Sequence, residues 1–207
     1  MTKPKAVPTS QLIGEADGDH LVLWYRTAAV RARVVIEYLN CGDPDRDIYA
    51  IILPFREIQS VETSLAREGF PVERLMRQGR LHIFASEEIL PDAEGGLSRL
   101  GETLGMLKAK AEAEGRGLRL VGRVAPVLFE RGDVKGAMRV EEMADAGLGD
   151  AKLLCLYDGS KLADVPASHA RQVDDAHAVV VYEEPGGRVR KTKSGRGSRA
   201  HPREPKR

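Results

Sequence analysis

What most constrains this chain is a series of six short, almost uninterrupted apolar runs, at residues 21–25, 48–53, 81–85, 118–125, 151–157 and 178–182. Each is short for a helix, and none alternates like a strand with one wet face. Strands that are apolar on both sides belong in a sheet covered on both faces. The intervening segments carry helical spacing. Val30, Val34, Tyr38 and Cys41 lie on one helical face after Thr27, whose hydroxyl suits an N-cap, and 41–45 (Cys-Gly-Asp-Pro-Asp) ends that helix. Ile58, Val61 and Leu65 form a second face, and Val72, Leu75 and Met76 a short third. Leu97, Leu100, Leu104, Leu107 and Ala111 make the clearest helix, followed by Val134, Ala137, Met138 and Val140, and by a weaker helix over 163–174. Strands alternating with helices mean parallel pairing through crossovers. The expected fold is therefore α/β, a mostly parallel sheet flanked by helices on both faces.

Charge divides the chain. Residues 184–207 hold nine Lys and Arg against two Asp and Glu, a net +7, whereas the preceding 183 residues sum to −6. After Pro185-Gly186-Gly187 the sequence offers no apolar area to bury, so 184–207 is expected to be a disordered basic tail. Residues 1–17 read as a flexible leader in which Gln11-Leu12-Ile13 suits an edge strand or short arm, leaving 18–183 as the folded domain. No run of about 18 apolar residues suggests a membrane span. The start, Met1-Thr2-Lys3-Pro4-Lys5, lacks an apolar signal region, so a cytoplasmic protein is expected. Cys41 and Cys155 fit no metal-ligand spacing and read as small core residues in a reducing compartment.

Ligands of open parallel sheets sit beyond the carboxyl ends of the strands. Those ends bring Tyr25 and Tyr157 as stacking faces and Arg26, Arg56 and Arg123 as charges, with Asp158 beside them and His20 as an edge cap or ligand contact. Such a set suits a small organic ligand, an anion or a planar molecule with a charged end. Nucleotide hydrolysis is disfavoured. The first strand is followed by Trp24-Tyr25-Arg26-Thr27-Ala28-Ala29, without the glycines and lysine that let backbone amides surround phosphate. The apolar run ending in Asp158 resembles a magnesium-binding strand but is a weak signal alone. No GxGxxG follows a strand and no GxSxG is present. The five histidines (His20, His82, His169, His177, His201) show no paired spacing, so a metal site can arise only from tertiary proximity. No catalytic residue, cofactor or metal is expected. Arg188, Arg190, Lys191, Lys193, Arg196 and Arg199 could contact nucleic-acid phosphates, though the tail has no aromatic residue to stack on bases.

The order of motifs is informative as a whole. Asp19-His20-Leu21-Val22-Leu23-Trp24-Tyr25 opens the domain, then come Ile48-Tyr49-Ala50-Ile51-Ile52 and Gly79-Arg80-Leu81-His82-Ile83. Leu118-Arg119-Leu120-Val121-Gly122-Arg123 and Leu154-Cys155-Leu156-Tyr157-Asp158 follow, and His177 leads the last strand. From Gly18 to Glu183 this series resembles the DcmR-like methanogen/methylotroph sensory family. The resemblance implies a RecA/KaiC-like three-layer domain without a working phosphate loop, binding small ligands such as hydrocarbon derivatives. Family members stand alone or are joined to DNA-binding or histidine-kinase modules. They often carry an acidic residue where this chain has Arg123, a departure that favours a more anionic ligand. No helix-turn-helix or kinase module is legible here. The expectation is a stand-alone sensor whose output passes to a regulatory protein partner, a kinase or transcription factor. The alternatives are a nucleic-acid-associated regulator acting through the tail and a degenerate NTPase.

Overall fold

A computed structural model describes residues 20–90 and 96–193. The leader, Arg196 and Arg199 lie outside the described residues. Seven strands form one sheet: β1 (His20–Tyr25), β2 (Asp47–Leu53), β3 (Leu81–Ala85), β4 (Gly117–Gly122), β5 (Lys152–Asp158), β6 (Val179–Glu184) and β7 (Arg188–Lys193). Their order is β3-β2-β4-β5-β1-β6-β7, parallel except for the antiparallel β6–β7 pair. The α/β class read from the sequence is what the chain adopts.

Alternation along each strand sends successive residues to opposite cores. In β1, Val22 and Trp24 enter one apolar cluster and Leu21, Leu23 and Tyr25 the other. The second cluster is covered by α1 (Ala28–Asn40), α2 (Phe55–Arg67) and α3 (Val72–Arg77). Past the short α4 (Ser86–Ile89), the first is covered by α5 (Gly96–Ala113), α6 (Val124–Glu130), α7 (Val134–Gly147) and α8 (Ala167–Ala176). Asp174 ties α8 to the sheet by accepting from Trp24 Nε1 at 2.8 Å and from the Tyr182 hydroxyl.

Three boundaries differ from the sequence reading. The apolar run 118–125 is not one strand: β4 ends at Gly122, and Arg123 turns the chain into α6. Pro126 does not oppose that helix, because first-turn amides lack intrahelical partners anyway. The weak helix over 163–174 divides into a 3-10 helix, Gly159–Asp164, and α8, because Val165 is held extended before Pro166. The disordered tail expected from residue 184 is corrected for Arg188–Lys193, which pair with β6 as β7. Gly186 and Gly187 take positive φ (84° and 73°) and permit the hairpin. An edge strand needs no buried area on both faces and tolerates charge. Arg190 there lies over the Tyr182 ring at 5.4 Å and pairs with Glu184 at 3.2 Å.

At the β1–α1 junction, where a phosphate loop would lie, the chain supplies its own anion. Glu183 of β6 is buried, and its carboxylate accepts from the backbone N–H of Arg26 (2.6 Å) and Thr27 (2.9 Å) and from the Thr27 hydroxyl (2.9 Å). Thr27 in turn caps α1 through Val30 N. Glu183→Ala leaves these donors unsatisfied. We expect a loss of about 2–3 kcal/mol, lowering the melting temperature in calorimetry by roughly 5–10 °C. A change within about 1 °C would show that this junction is held by other contacts.

Candidate functional site

Burying an ion in an apolar core costs several kcal/mol unless partners compensate it. Helix α7 turns one inward: Glu141 lies on the face that carries Ala137, Val140 and Ala144 to the sheet, and is 1% exposed. Its Oε1 accepts from the Tyr157 hydroxyl at 2.7 Å. Around its Oε2 stand His20 Nε2 at 3.1 Å, Cys155 Sγ at 3.3 Å and His177 Nε2 at 3.5 Å. His20 opens β1, Cys155 and Tyr157 are alternate residues of β5, and His177 ends α8. Two neighbouring strands and two helices therefore converge on one carboxylate.

The histidines are oriented from behind. His20 Nδ1 lies 2.7 Å from Asp145 Oδ1, and His177 Nδ1 lies 2.7 Å from the Val173 carbonyl. A carbonyl only accepts, so His177 Nδ1 donates there and its Nε2 faces the cluster without a hydrogen-bond partner. The ring centroids are 4.1 Å apart. Burial pushes the Glu141 carboxyl up, but His177, His20 and Tyr157 outweigh it and hold the carboxyl at about 2. Burial disfavours a charged His20, yet Cys155, Asp145 and Glu141 raise its pKa well above the ordinary imidazole value. Burial, then the nearby His20, pushes His177 down to about 4, and burial with Glu141 pushes the Cys155 thiol up to about 12.

Cys155 and Glu141 also line an apolar cavity of about 40 Å³ between the sheet and α5, α6 and α7, with Leu120, Gly122, Val140 and Leu153 among its walls. Gly122 shares the face of Leu118 and Leu120, and a Cβ placed on it would meet no heavy atom within 4 Å. The missing side chain is thus part of what opens the cavity. A molecule held there would contact hydrocarbon on nearly every side, with Cys155 and Glu141 at the margin.

The carboxyl ends of the strands are organised differently. Arg123 is buried and donates to Glu57 and Glu130, while Arg31 pairs with Glu57 at 2.6 Å. Both guanidinium groups lie over the Tyr25 ring, at 5.7 and 5.2 Å. Two arginines are matched by two carboxylates.

Residues 19–183 match the family described as the MEthanogen/methylotroph, DcmR Sensory domain, MEDS. The chain belongs to this MEDS family. No curated protein matches it. Among solved structures, the uncharacterized protein PH0321 from Pyrococcus horikoshii, crystallised in complex with an unknown peptide, is similar in fold. Its TM-score is 0.60 at 13% identity, covering 84% of this chain and 82% of that one. Among the described residues, no helix of the MEDS domain is long and apolar enough to cross a membrane.

The sequence-selected residues of the MEDS domain fall into separate places. Tyr25 and Arg123 come together at the strand ends. Arg26 and Arg56 are exposed, and Asp158 caps the 3-10 helix by accepting from Ser160 N at 2.9 Å. His20 and Tyr157 belong instead to the buried cluster. Arg188, Arg190, Lys191 and Lys193 lie on β7. Glu87 and Glu88 sit on α4, where Glu87 accepts from Phe55 N. Glu141, Cys155 and His177 were missed as a site. Glu141 was detectable as a carboxylate at helical spacing between Ala137 and Ala144, but its meeting with the histidines is purely tertiary.

If the Arg123 network is structural, Arg123→Met strands Glu130 and half of Glu57 and costs about 3 kcal/mol. Arg56→Ala, on the exposed face, stays within about 0.5 kcal/mol. Urea denaturation of both variants checks this, and equal stabilities would contradict it.

Proposed function

We propose that this MEDS domain senses a small, largely apolar molecule in the cavity beside Cys155 and Glu141, and reports it to a regulatory protein partner. The observation that carries the reading is the cavity itself, held open at Gly122 and lined almost entirely by hydrocarbon, with Glu141 and Cys155 at its edge. A water needs about 10–15 Å³ by this measure, so about 40 Å³ suits a molecule of a few heavy atoms. That size agrees with a sensory family and with a short-chain hydrocarbon derivative whose polar end meets the thiol or carboxylate. It does not suit a nucleotide, and Glu183 already holds the amides at the β1–α1 turn. Hydrolysis of nucleotides is therefore not part of this reading. An anionic ligand at the strand ends is less favoured, since Glu57 and Glu130 already match the Arg123 charge.

Transmission follows from α7. Its inner face lines the cavity through Val140, Glu141 and Ala144, and its outer face exposes Lys135, Arg139 and Glu142. A ligand that fits one position of α7 better than another shifts the balance between them, and the outer face carries the change to a partner. Cys41 and Cys155 are free thiols, in keeping with a reducing, cytoplasmic setting.

The test is a thermal-shift series on the full chain with one- to three-carbon alcohols and haloalkanes. A ligand at about 100 times its Kd adds about 2.7 kcal/mol, or roughly 5–10 °C. Gly122→Val fills the cavity and abolishes the shift without lowering the variant's own melting temperature. Absence of any shift, or an equal shift in Gly122→Val, would sink the proposal.

A further inference from the structure

We infer that His20, Glu141, Cys155 and His177 form a site for a divalent transition-metal ion, Zn²⁺ by the donor set. Each offers one ligand atom, and these atoms lie within 4.8 Å of one another in the buried core. Two imidazole nitrogens, a sulfur and a carboxylate oxygen are the donors that four-coordinate zinc takes. Zinc bonds of about 2.0–2.3 Å in a tetrahedron require donor–donor separations of about 3.3–3.6 Å. Four of the six separations are 3.1 Å (His20 Nε2 to Glu141 Oε2), 3.3 Å (Cys155 Sγ to Glu141 Oε2), 3.4 Å (His20 Nε2 to Cys155 Sγ) and 3.5 Å (His177 Nε2 to Glu141 Oε2), and those from His177 to His20 and Cys155 lie within 4.8 Å.

The surroundings carry the inference further than the count of ligands. Metal-binding histidines donate their outer N–H to a carboxylate or carbonyl, which fixes the ring and aims the other nitrogen inward. His20 has Asp145 in that role and His177 has the Val173 carbonyl. Tyr157 binds the outer oxygen of Glu141 and leaves Oε2 to the centre. His177 is fully buried, and its Nε2 points at the cluster with no hydrogen-bond partner. Hydrogen bonding alone gives that nitrogen nothing to do, whereas a bound cation would give it a ligand role. Binding would release the Cys155 thiol proton, because the thiolate is the metal ligand.

The inference does not depend on the cavity holding a ligand, and its test uses the metal alone. The full chain is stripped with chelator and titrated with Co²⁺, whose thiolate complexes absorb strongly in the near ultraviolet. The Cys41→Ser variant is run alongside, so that its only thiol is Cys155. We expect one Co²⁺ per chain by elemental analysis and a thiolate-to-cobalt band that survives in Cys41→Ser. Zn²⁺ displaces it, and Cys155→Ser and His177→Gln lose it. No band in wild type, loss of the band in Cys41→Ser, or its persistence in a folded Cys155→Ser would overturn the site. Should Cys155→Ser not fold, the Cys41→Ser result decides alone. Metal binding with an unresponsive cavity would leave this site standing and remove the sensor reading.

Discussion

Glu141 is ionised, almost fully covered, and surrounded by apolar side chains of α7 and the sheet. A carboxylate in that position must be satisfied from every side, and its partners come from β1, β5 and the end of α8. Its demands fix several neighbours at once. The first residue of β1 must be level with β5, α7 must lie against both, and α8 must end where His177 reaches inward. Burial is expensive enough that a chain without use for this cluster would gain by replacing it with hydrocarbon. The cluster borders the largely apolar cavity through Cys155 and Glu141, which is the use proposed for it.

The same economy appears at the β1–α1 turn. Amides at the start of a helix attract anions, and here Glu183 meets the need from within the chain. The central parallel sheet keeps its covered faces and its crossovers, while the candidate site lies on the face beneath α7. At those ends Arg123, Arg31, Glu57 and Glu130 neutralise one another around Tyr25 and hold α1, α2, α6 and β1 together.

The strands were legible in the sequence because a strand buried on both faces must be apolar at every position, as in residues 48–53. The long helix α5 was legible because Leu100, Leu104 and Leu107 repeat with the helical period. Local chemistry misled only where it competed with position. Residues 118–125 stay apolar through a strand end and a helix start, and 188–193 are charged yet pair at an edge. The site was harder to read. Cys155 and Tyr157 sit two apart on β5 and share a face, which alternation predicts. His20 and His177 lie at opposite ends of the domain sequence, and only the adjacency of β1 and β6 brings them together.

The proposed sensing role requires that the cavity beneath α7 accept a small apolar guest beside Glu141. Methyl NMR of the full chain under xenon pressure tests it most directly, since xenon enters apolar cavities without needing a polar partner. Shifts are expected only at methyls that line this space, those of Leu100, Leu104, Leu120, Val140 and Leu153, with Leu39, Leu65 and Leu75 across the sheet unmoved. No response, or a response centred on the opposite face or the strand ends, would contradict it.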